Sequence, residues 1–300
     1  MYDLITIGDV TLDLFYKGDK LTESSERFNL AIGGKYRADN FYFSLGGCGA
    51  NVACAAAKFG LSSSIVSIIG ENPFKGIILQ KIISNQISIK ELIYVRDFIN
   101  ISTILIAKNG DRSIIHYVSD KLDDIISMKF EAAVNKAKYL YLGNLPHLKQ
   151  EAKLEILKIA KKNKITTFLT VASSDCRDLR SETFELIDYA DFFALNTHEF
   201  CDLLQKKYEE MNFHHGAELL EARHNTFIVT DGNKGSYAYH KGMTFFQKEA
   251  PIKHIIDTTG AGDGYLGGFI ANYFKTKDIK SAMAAGTDFA GQVISKIGAQ

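Results

Sequence analysis

Apolar residues along this chain recur at two periods, and the switch between them marks its elements. Leu4 to Gly8 is a short apolar run closed by glycine, the pattern of a strand buried on both faces of a parallel sheet. From about Thr11 to Leu45 the chain turns polar and aromatic without helical period, which predicts half-exposed strands. Small residues from Asn51 to Lys58 predict a helix, stopped at Gly60, where a C-cap wants glycine. Ser64 to Ile69 reads as a second buried strand and Phe74 to Ser84 as the helix after it. The runs ISTILIA and RSIIHYV, within 101–118, are joined by Lys108-Asn109-Gly110-Asp111 and predict a hairpin. Segments 11–45 and 97–120 are therefore expected to form a small second sheet inserted into the main body.

The remainder alternates in the same way. Strands are predicted at 139–142, 165–171, 190–195, 226–230 and 236–240. Helices are predicted at 149–162, within 197–222, at 262–275 and at 278–296. Such alternation argues for an α/β fold, a parallel sheet with helices on both faces. No repeat is apparent, and 3 prolines leave no linker between independent units. Residues 1–300 are expected to form a single domain.

Composition narrows the chemistry. The 300 residues hold 35 Lys+Arg against 35 Asp+Glu, a formal net charge of zero, so the electrostatic footprint of a nucleic-acid binder is missing. No apolar run reaches the ~20 residues of a bilayer span, and the first residues do not resemble a secretory leader. Neither nucleic acid nor a membrane is expected as a partner, and the expected compartment is cytoplasmic. Cys48, Cys54, Cys176 and Cys201 lack CxxC spacing and are expected as free thiols. The 8 histidines show no HExxH pattern, and the adjacent His214 and His215 would point in different directions on a helix.

The richest stretch is Asp257-Thr258-Thr259-Gly260-Ala261-Gly262-Asp263-Gly264, ahead of an apolar helix. Backbone N–H groups of Gly260, Ala261 and Gly262 would converge at the positive end of that helix, which makes an anion site. Asp263, in the first turn, reads either as a simple capping acid or as a base beside a phosphate cradle. The cradle accounts for the whole group of glycines, threonines and Asp257, whereas a cap needs one acid. The spacing matches neither GxxxxGK[ST] nor GxGxxG, which disfavours a P-loop and a dinucleotide oxidoreductase. Gly46-Gly47-Cys48-Gly49-Ala50-Asn51 is a second glycine-rich entry to a helix. It reads either as tight packing or as close approach of a ligand, with Asn51 offering amide donor and acceptor to a hydroxyl.

These two stretches, Gly46 to Gly70 and Asp257 to Ile270, resemble the two signatures of the ribokinase-like, or phosphofructokinase-B, carbohydrate kinases, and the order of elements between them is similar too. The resemblance implies a three-layer α/β/α, Rossmann-like body with a β-sheet lid, and transfer of the γ-phosphoryl group of ATP to an alcohol of a sugar. It implies Asp263 as catalytic base and Gly260, Ala261 and Gly262 as the anion hole. Asp13, Gly46, Gly47 and Asn51 would meet the sugar. Asn196 and Glu199 match an NxxE motif associated with Mg²⁺ and phosphate. Thr230, Gly232, Gly235 and Thr287 would hold the nucleotide, and Asp257 and Thr259 a monovalent cation such as K⁺. From the residues alone, Asn196 and Glu199 also read as a capping box and Gly232 to Gly235 as a plain turn. Thr11 stands where ribokinases carry Asn, and Asn72 where an acid is usual.

The expected cofactors are thus ATP and Mg²⁺, with a sugar as acceptor. A nucleoside acceptor, with lid aromatics such as Phe15, Tyr36, Phe41 or Tyr42 against the base, is the alternative within the same chemistry. A non-catalytic nucleotide- or sugar-binding regulator is the alternative outside it. Exposed apolar residues such as Phe41, Phe43 and Ile115 are expected to pair two lids in a homodimer.

Overall fold

The structure, a computed structural model, describes residues 1–18, 21, 27–107, 112–119, 126–210, 213, 225–251, 255–296 and 298–299. In chain order, β1 (Tyr2–Ile7) leads to β2 (Thr11–Lys17) and β3 (Asn40–Gly46), then α1 (Cys48–Lys58), β4 (Ser63–Val66), β5 (Ile68–Glu71) and α2 (Lys75–Ser84). Next come β6 (Ile93–Arg96), β7 (Asn100–Ile106), β8 (Arg112–Val118), α3 (Ile126–Val134), β9 (Ala137–Leu142), α4 (Gln150–Lys162) and β10 (Thr166–Leu169). Then follow α5 (Ser173–Asp178), α6 (Arg180–Tyr189), β11 (Phe192–Asn196), α7 (Thr197–Leu204), β12 (Thr226–Thr230), β13 (Ser236–His240) and β14 (Met243–Gln247). Two helices close the described chain, here α8 (Ala261–Thr276) and α9 (Ile279–Ile294).

The main sheet runs β14-β13-β12-β11-β10-β9-β1-β4 among the described residues. From β4 to β12 every neighbouring pair is parallel, and β13 and β14 add an antiparallel edge. Successive side chains of a strand point to opposite faces, and here both faces are covered. Ile5, Ile7, Leu140, Leu142, Phe193 and Leu195 pack with residues of α3, α4, α6 and α7. Leu4, Tyr139, Tyr141, Phe168, Phe192 and Ile228 pack with residues of α1, α8 and α9. This is the three-layer arrangement that continuous apolar strands demand.

The second sheet, β3-β2-β7-β8, stands apart as a lid. Its hairpin β7–β8 is antiparallel as expected, while the turn at 108–111 lies outside the described residues. On one face Asp13, Phe15, Ile104 and Ile106 are buried. On the other, Leu12 and Leu45 pack against Ile78 and Ile82 of α2, but Phe41, Phe43, Ile115 and Tyr117 stay exposed.

Several expectations shift. The run 64–69 is two strands: Ile93 N donates to Ser67 O (2.9 Å), so the chain changes partner there and β5 pairs with β6 away from the main sheet. The strand expected over 165–171 stops at Leu169: Thr170 N makes the last bond to β9, at Leu142 O (3.0 Å), and the chain then turns into α5. The elements α3, α5, α6 and β14 carried no clear period and were not predicted. Of the helices expected within 197–222, α7 is present, and most of the remainder, His214 and His215 included, lies outside the described residues.

Candidate active site

In open parallel sheets ligands gather outside the carboxyl ends of the strands. Here a cavity of about 310 Å³ opens at that edge, lined by Thr170 after β10, by Asn196 at the end of β11 and by Thr230 at the end of β12. Three helix beginnings face it: Cys48 of α1, Asn196 and Glu199 at α7, and Gly260 to Asp263 at α8. Each contributes partial positive charge from its unpaired N–H groups. A second cavity of about 530 Å³, lined by Gly232, Gly235, Pro251, Ile255, Thr287 and Ile294 among others, adjoins it. The two share Thr230, Thr258, Ala261, Gly262 and Tyr265, so the start of α8 is their common wall. A larger cavity, about 620 Å³, lies at the opposite strand edge around Tyr139, Asp191 and His240 and meets none of these groups.

Gly260 caps α8 with φ 73°, a left-handed conformation that side chains resist, and a Cβ there would fall 2.2 Å from that of Ala299. Gly262, by contrast, is exposed to the cavity with nothing near its missing Cβ. Asp263 follows in the first turn. Its Oδ2 accepts from Asn51 Nδ2 at 2.8 Å. It is only half-buried, since it borders the cavity, yet protein packs closely around the carboxyl. Burial pushes it up from 3.8 to about 6; donation by Asn51 opposes that rise, and Asp9 and Glu199 add repulsion.

On the other side of Asn51 lies the lid's root. Asp13 of β2 is buried, and its Oδ1 accepts from Thr11 Oγ1 at 2.8 Å. Burial raises its carboxyl, with Thr11 and Ser102 donating against the rise. Gly46 lies so close that a Cβ would stand 2.0 Å from Asp13 Oδ2, which explains the absence of a side chain there. Gly47 is the N-cap of α1 and brings no capping side chain; Asp9 supplies one instead, Oδ1 accepting from Cys48 N at 2.7 Å. Burial raises Asp9 as well. Asp13, Gly46 and Gly47 line neither cavity, and Asn51 is what joins them to Asp263.

The remaining predicted residues are also placed. Asn196 and Glu199 do form the capping box of α7, both bonds at 2.9 Å, and Glu199 Oε1 also accepts from Ser173 Oγ at 2.9 Å. They line the smaller cavity while doing so. Thr230, Gly232, Gly235 and Thr287 line the larger one. Asp257 is buried: Oδ1 accepts from Thr259 N (2.9 Å) and Thr259 Oγ1 (2.6 Å), and Oδ2 from Gly298 N (3.1 Å).

Pattern reading missed three groups. Arg112, at the start of β8, donates from Nη1 to Thr258 Oγ1 at 2.6 Å and stands 3.7 Å from Asp257 Oδ1, so a lid residue touches the loop that leads into α8. Asp9 escaped notice beside Asp13. Ser102 and His116 form a hydrogen-bonded pair on the lid, Oγ to Nδ1 at 3.2 Å. Alternation gives no signal for the last pair, since Ser102 shares its face with Ile104 and Ile106, and His116 shares its face with Ile114; the strand register alone brings the two together. All four cysteines are free, and no cluster of three metal-ligating side chains occurs among the described residues. No described helix is long and apolar enough to cross a membrane.

Comparison with known proteins agrees with this geometry. A family model described as pfkB family carbohydrate kinase matches residues 1–300. The chain is 26% identical over 303 residues to a ribokinase of Lactococcus lactis, covering 100% of this chain and 93% of the relative. It is 26% identical over 308 residues to a nucleoside kinase of Methanocaldococcus jannaschii, again covering 100% and 93%. The solved structure of Arabidopsis thaliana ribokinase complexed with ribose and ATP superposes with a TM-score of 0.81 at 21% identity, over 99% of this chain and 94% of that one.

Proposed function

Since the chain belongs to the pfkB family of carbohydrate kinases, and so to the phosphotransferases, we propose that it moves the γ-phosphoryl group of ATP to a hydroxyl of a sugar or sugar derivative. One observation carries the reading. The Asp263 carboxyl, pushed up to about 6, sits in the first turn of α8 where two cavities meet, and Asn51 ties it to the lid's root.

The larger, mostly apolar cavity suits an adenine, with Thr287 beside it and Gly232 and Gly235 near ribose or phosphates. The phosphate chain then reaches the backbone N–H groups of Gly260, Ala261 and Gly262, which meet charge developing on the transferring group. Asp13, with Gly46, Gly47 and Asn51, holds the acceptor. Asp263 takes the proton of its attacking hydroxyl. Arg112 bridges lid to loop and helps exclude water, a competing acceptor.

Asn196 and Glu199 border the smaller cavity, but Asn196 Oδ1 and both Glu199 carboxylate oxygens already accept hydrogen bonds, so they would hold Mg²⁺ through its waters and not as direct ligands. When bound it would neutralise phosphate charge. For a monovalent cation, Asp257 and Thr259 fit poorly as they stand, because the carboxylate already accepts three hydrogen bonds and has the Arg112 guanidinium beside it. No step is assigned to such an ion. Phe41 and Phe43 on one edge strand of the lid and Ile115 and Tyr117 on the other are exposed on the same face of the sheet and support pairing with a second copy; light scattering giving a clean monomer would reject that pairing.

A screen of ATP consumption over pentoses, hexoses, sugar acids and nucleosides, with Asp263→Asn as blank, tests the main reading. Turnover with no acceptor in the panel, or undiminished turnover in the variant, would defeat it.

A further inference from the structure

The face of the lid that bears Asp13 carries a row of polar side chains, one per strand. Register places Ser44 opposite Asp13, Asp13 opposite Ser102, and Ser102 opposite His116. Residues directly opposite share a face, so the row crosses β3, β2, β7 and β8 in a line. The rows beside it differ. One holds Thr11, Gly46, Asn100 and Val118, the lid's root; the other holds Tyr42, Phe15, Ile104 and Ile114, largely apolar. The only titratable groups in the row are thus Asp13 and His116, two strands apart.

Ser102 Oγ lies 3.2 Å from His116 Nδ1, so that ring nitrogen is already engaged within the lid. Nε2 is left at the exposed end of the row. Register sets His116 on the same face of the lid as Asp13, so it looks onto that side of the sheet.

Resting on the kinase reading above, we propose that His116 is a specificity-determining residue: its Nε2 hydrogen-bonds one hydroxyl of the acceptor while Asp13 accepts from another. The two side chains rise from one face of the sheet with backbones two strand spacings, about 9–10 Å, apart, a distance that one polyhydroxyl ring lying over Ser102, with a hydrogen bond at each end, spans. The acceptor class is a ring bearing at least two free secondary hydroxyls, either a free sugar or the ribosyl part of a nucleoside. Ser102 acts through His116 as a positioning residue, holding the ring by its Nδ1.

The experiment starts with wild type on D-ribose, D-xylose, D-fructose, adenosine and inosine, which separates free sugars from nucleosides. For the best acceptor and its single-deoxy analogues, KM and kcat are then compared for wild type, His116→Ala and His116→Gln. The expected result is a KM raised about 3- to 10-fold in His116→Ala, as for one lost neutral hydrogen bond, with kcat within about 2-fold. His116→Gln, whose amide reaches the Nε2 position, recovers most of that loss. One deoxy analogue shows no difference between wild type and His116→Ala, because the hydroxyl that His116 would read is gone. An unchanged KM, or an equal penalty on every deoxy analogue, overturns the inference and leaves the kinase reading standing. If wild type phosphorylates none of the hydroxyl compounds, both fall. Should His116→Ala not fold, His116→Gln against the deoxy series decides: it must lose discrimination between the full and deoxy acceptors less than about 3-fold for the inference to hold.

Discussion

Asn51 Nδ2 donates to Asp263 Oδ2 across 2.8 Å, joining the first turns of two helices that lie 212 positions apart in the chain. One glycine-rich helix start thereby aims the acid of the other. If Asp263 is the base, Asp263→Asn keeps the shape and a hydrogen-bonding partner for Asn51 but cannot take a proton. Its kcat should fall by about 10²–10⁴-fold with the thermal midpoint nearly unchanged. Steady-state kinetics and a melting curve check this, and a loss under a few-fold would reduce Asp263 to a capping residue.

The pH dependence follows from the same carboxyl. A base must be deprotonated, so kcat/KM should decline as pH falls through about 6, losing tenfold per unit below it. Asn51 favours the ionised form, so removing it should carry the acidic limb upward, by about one unit in Asn51→Ala. Stability runs the other way. A carboxyl raised on folding contributes stability that is complete below its unfolded value near 3.8 and is lost as pH rises through about 6. Asp263→Asn should therefore be less sensitive to pH between 4 and 7 than wild type in denaturant titrations.

The parts legible in the sequence were those whose chemistry is local. The run from Gly260 to Asp263 announces a helix start stripped of side chains, and the structure gives it that form, with Gly260 as N-cap and Asp263 in the first turn. Buried strands such as LITIG were equally plain, because a parallel sheet covered on both faces needs unbroken apolar runs. The helices α5 and α6 were not, since SSDCRD is short and buries a polar Asp175 beside Cys176, and RSETFELIDY buries only Thr183, Leu186 and Ile187. Nor could spacing show Arg112 reaching Thr258 across 146 positions, or Asp9 serving α1 in place of a side chain on Gly47. Those are tertiary relationships, created when lid and body fold together.

Arg112 makes a lid-to-loop contact that has a measurable consequence. Its guanidinium binds Thr258 and faces the buried Asp257, and the pair is partly exposed, so its contribution to stability should be small, within about 1 kcal/mol. Its effect on water exclusion should be larger. In Arg112→Ala, ATP hydrolysis without acceptor should rise relative to transfer, and kcat/KM should fall about 3- to 30-fold. Phosphate release with and without acceptor measures both; an unchanged ratio would assign Arg112 to structure alone.

The two glycines at the start of α8, Gly260 and Gly262, should fail in different ways when given the same methyl group. At Gly260 the backbone is left-handed and Ala299 occupies the space a Cβ needs, so Gly260→Ala should strain the turn, shift Ala299 and lower stability by about 1–3 kcal/mol. At Gly262 nothing stands within 4 Å of the added carbon, and a helical position gains from alanine, so stability should hold or rise slightly. That carbon would project into the cavity shared by both halves of the site, where the transferring phosphoryl group is proposed to lie. Gly262→Ala should therefore fold as wild type yet raise KM for ATP and lower kcat, together at least tenfold. Calorimetry beside kinetics distinguishes the two variants. Full activity in a well-folded Gly262→Ala would mean that the phosphates do not pass over this turn.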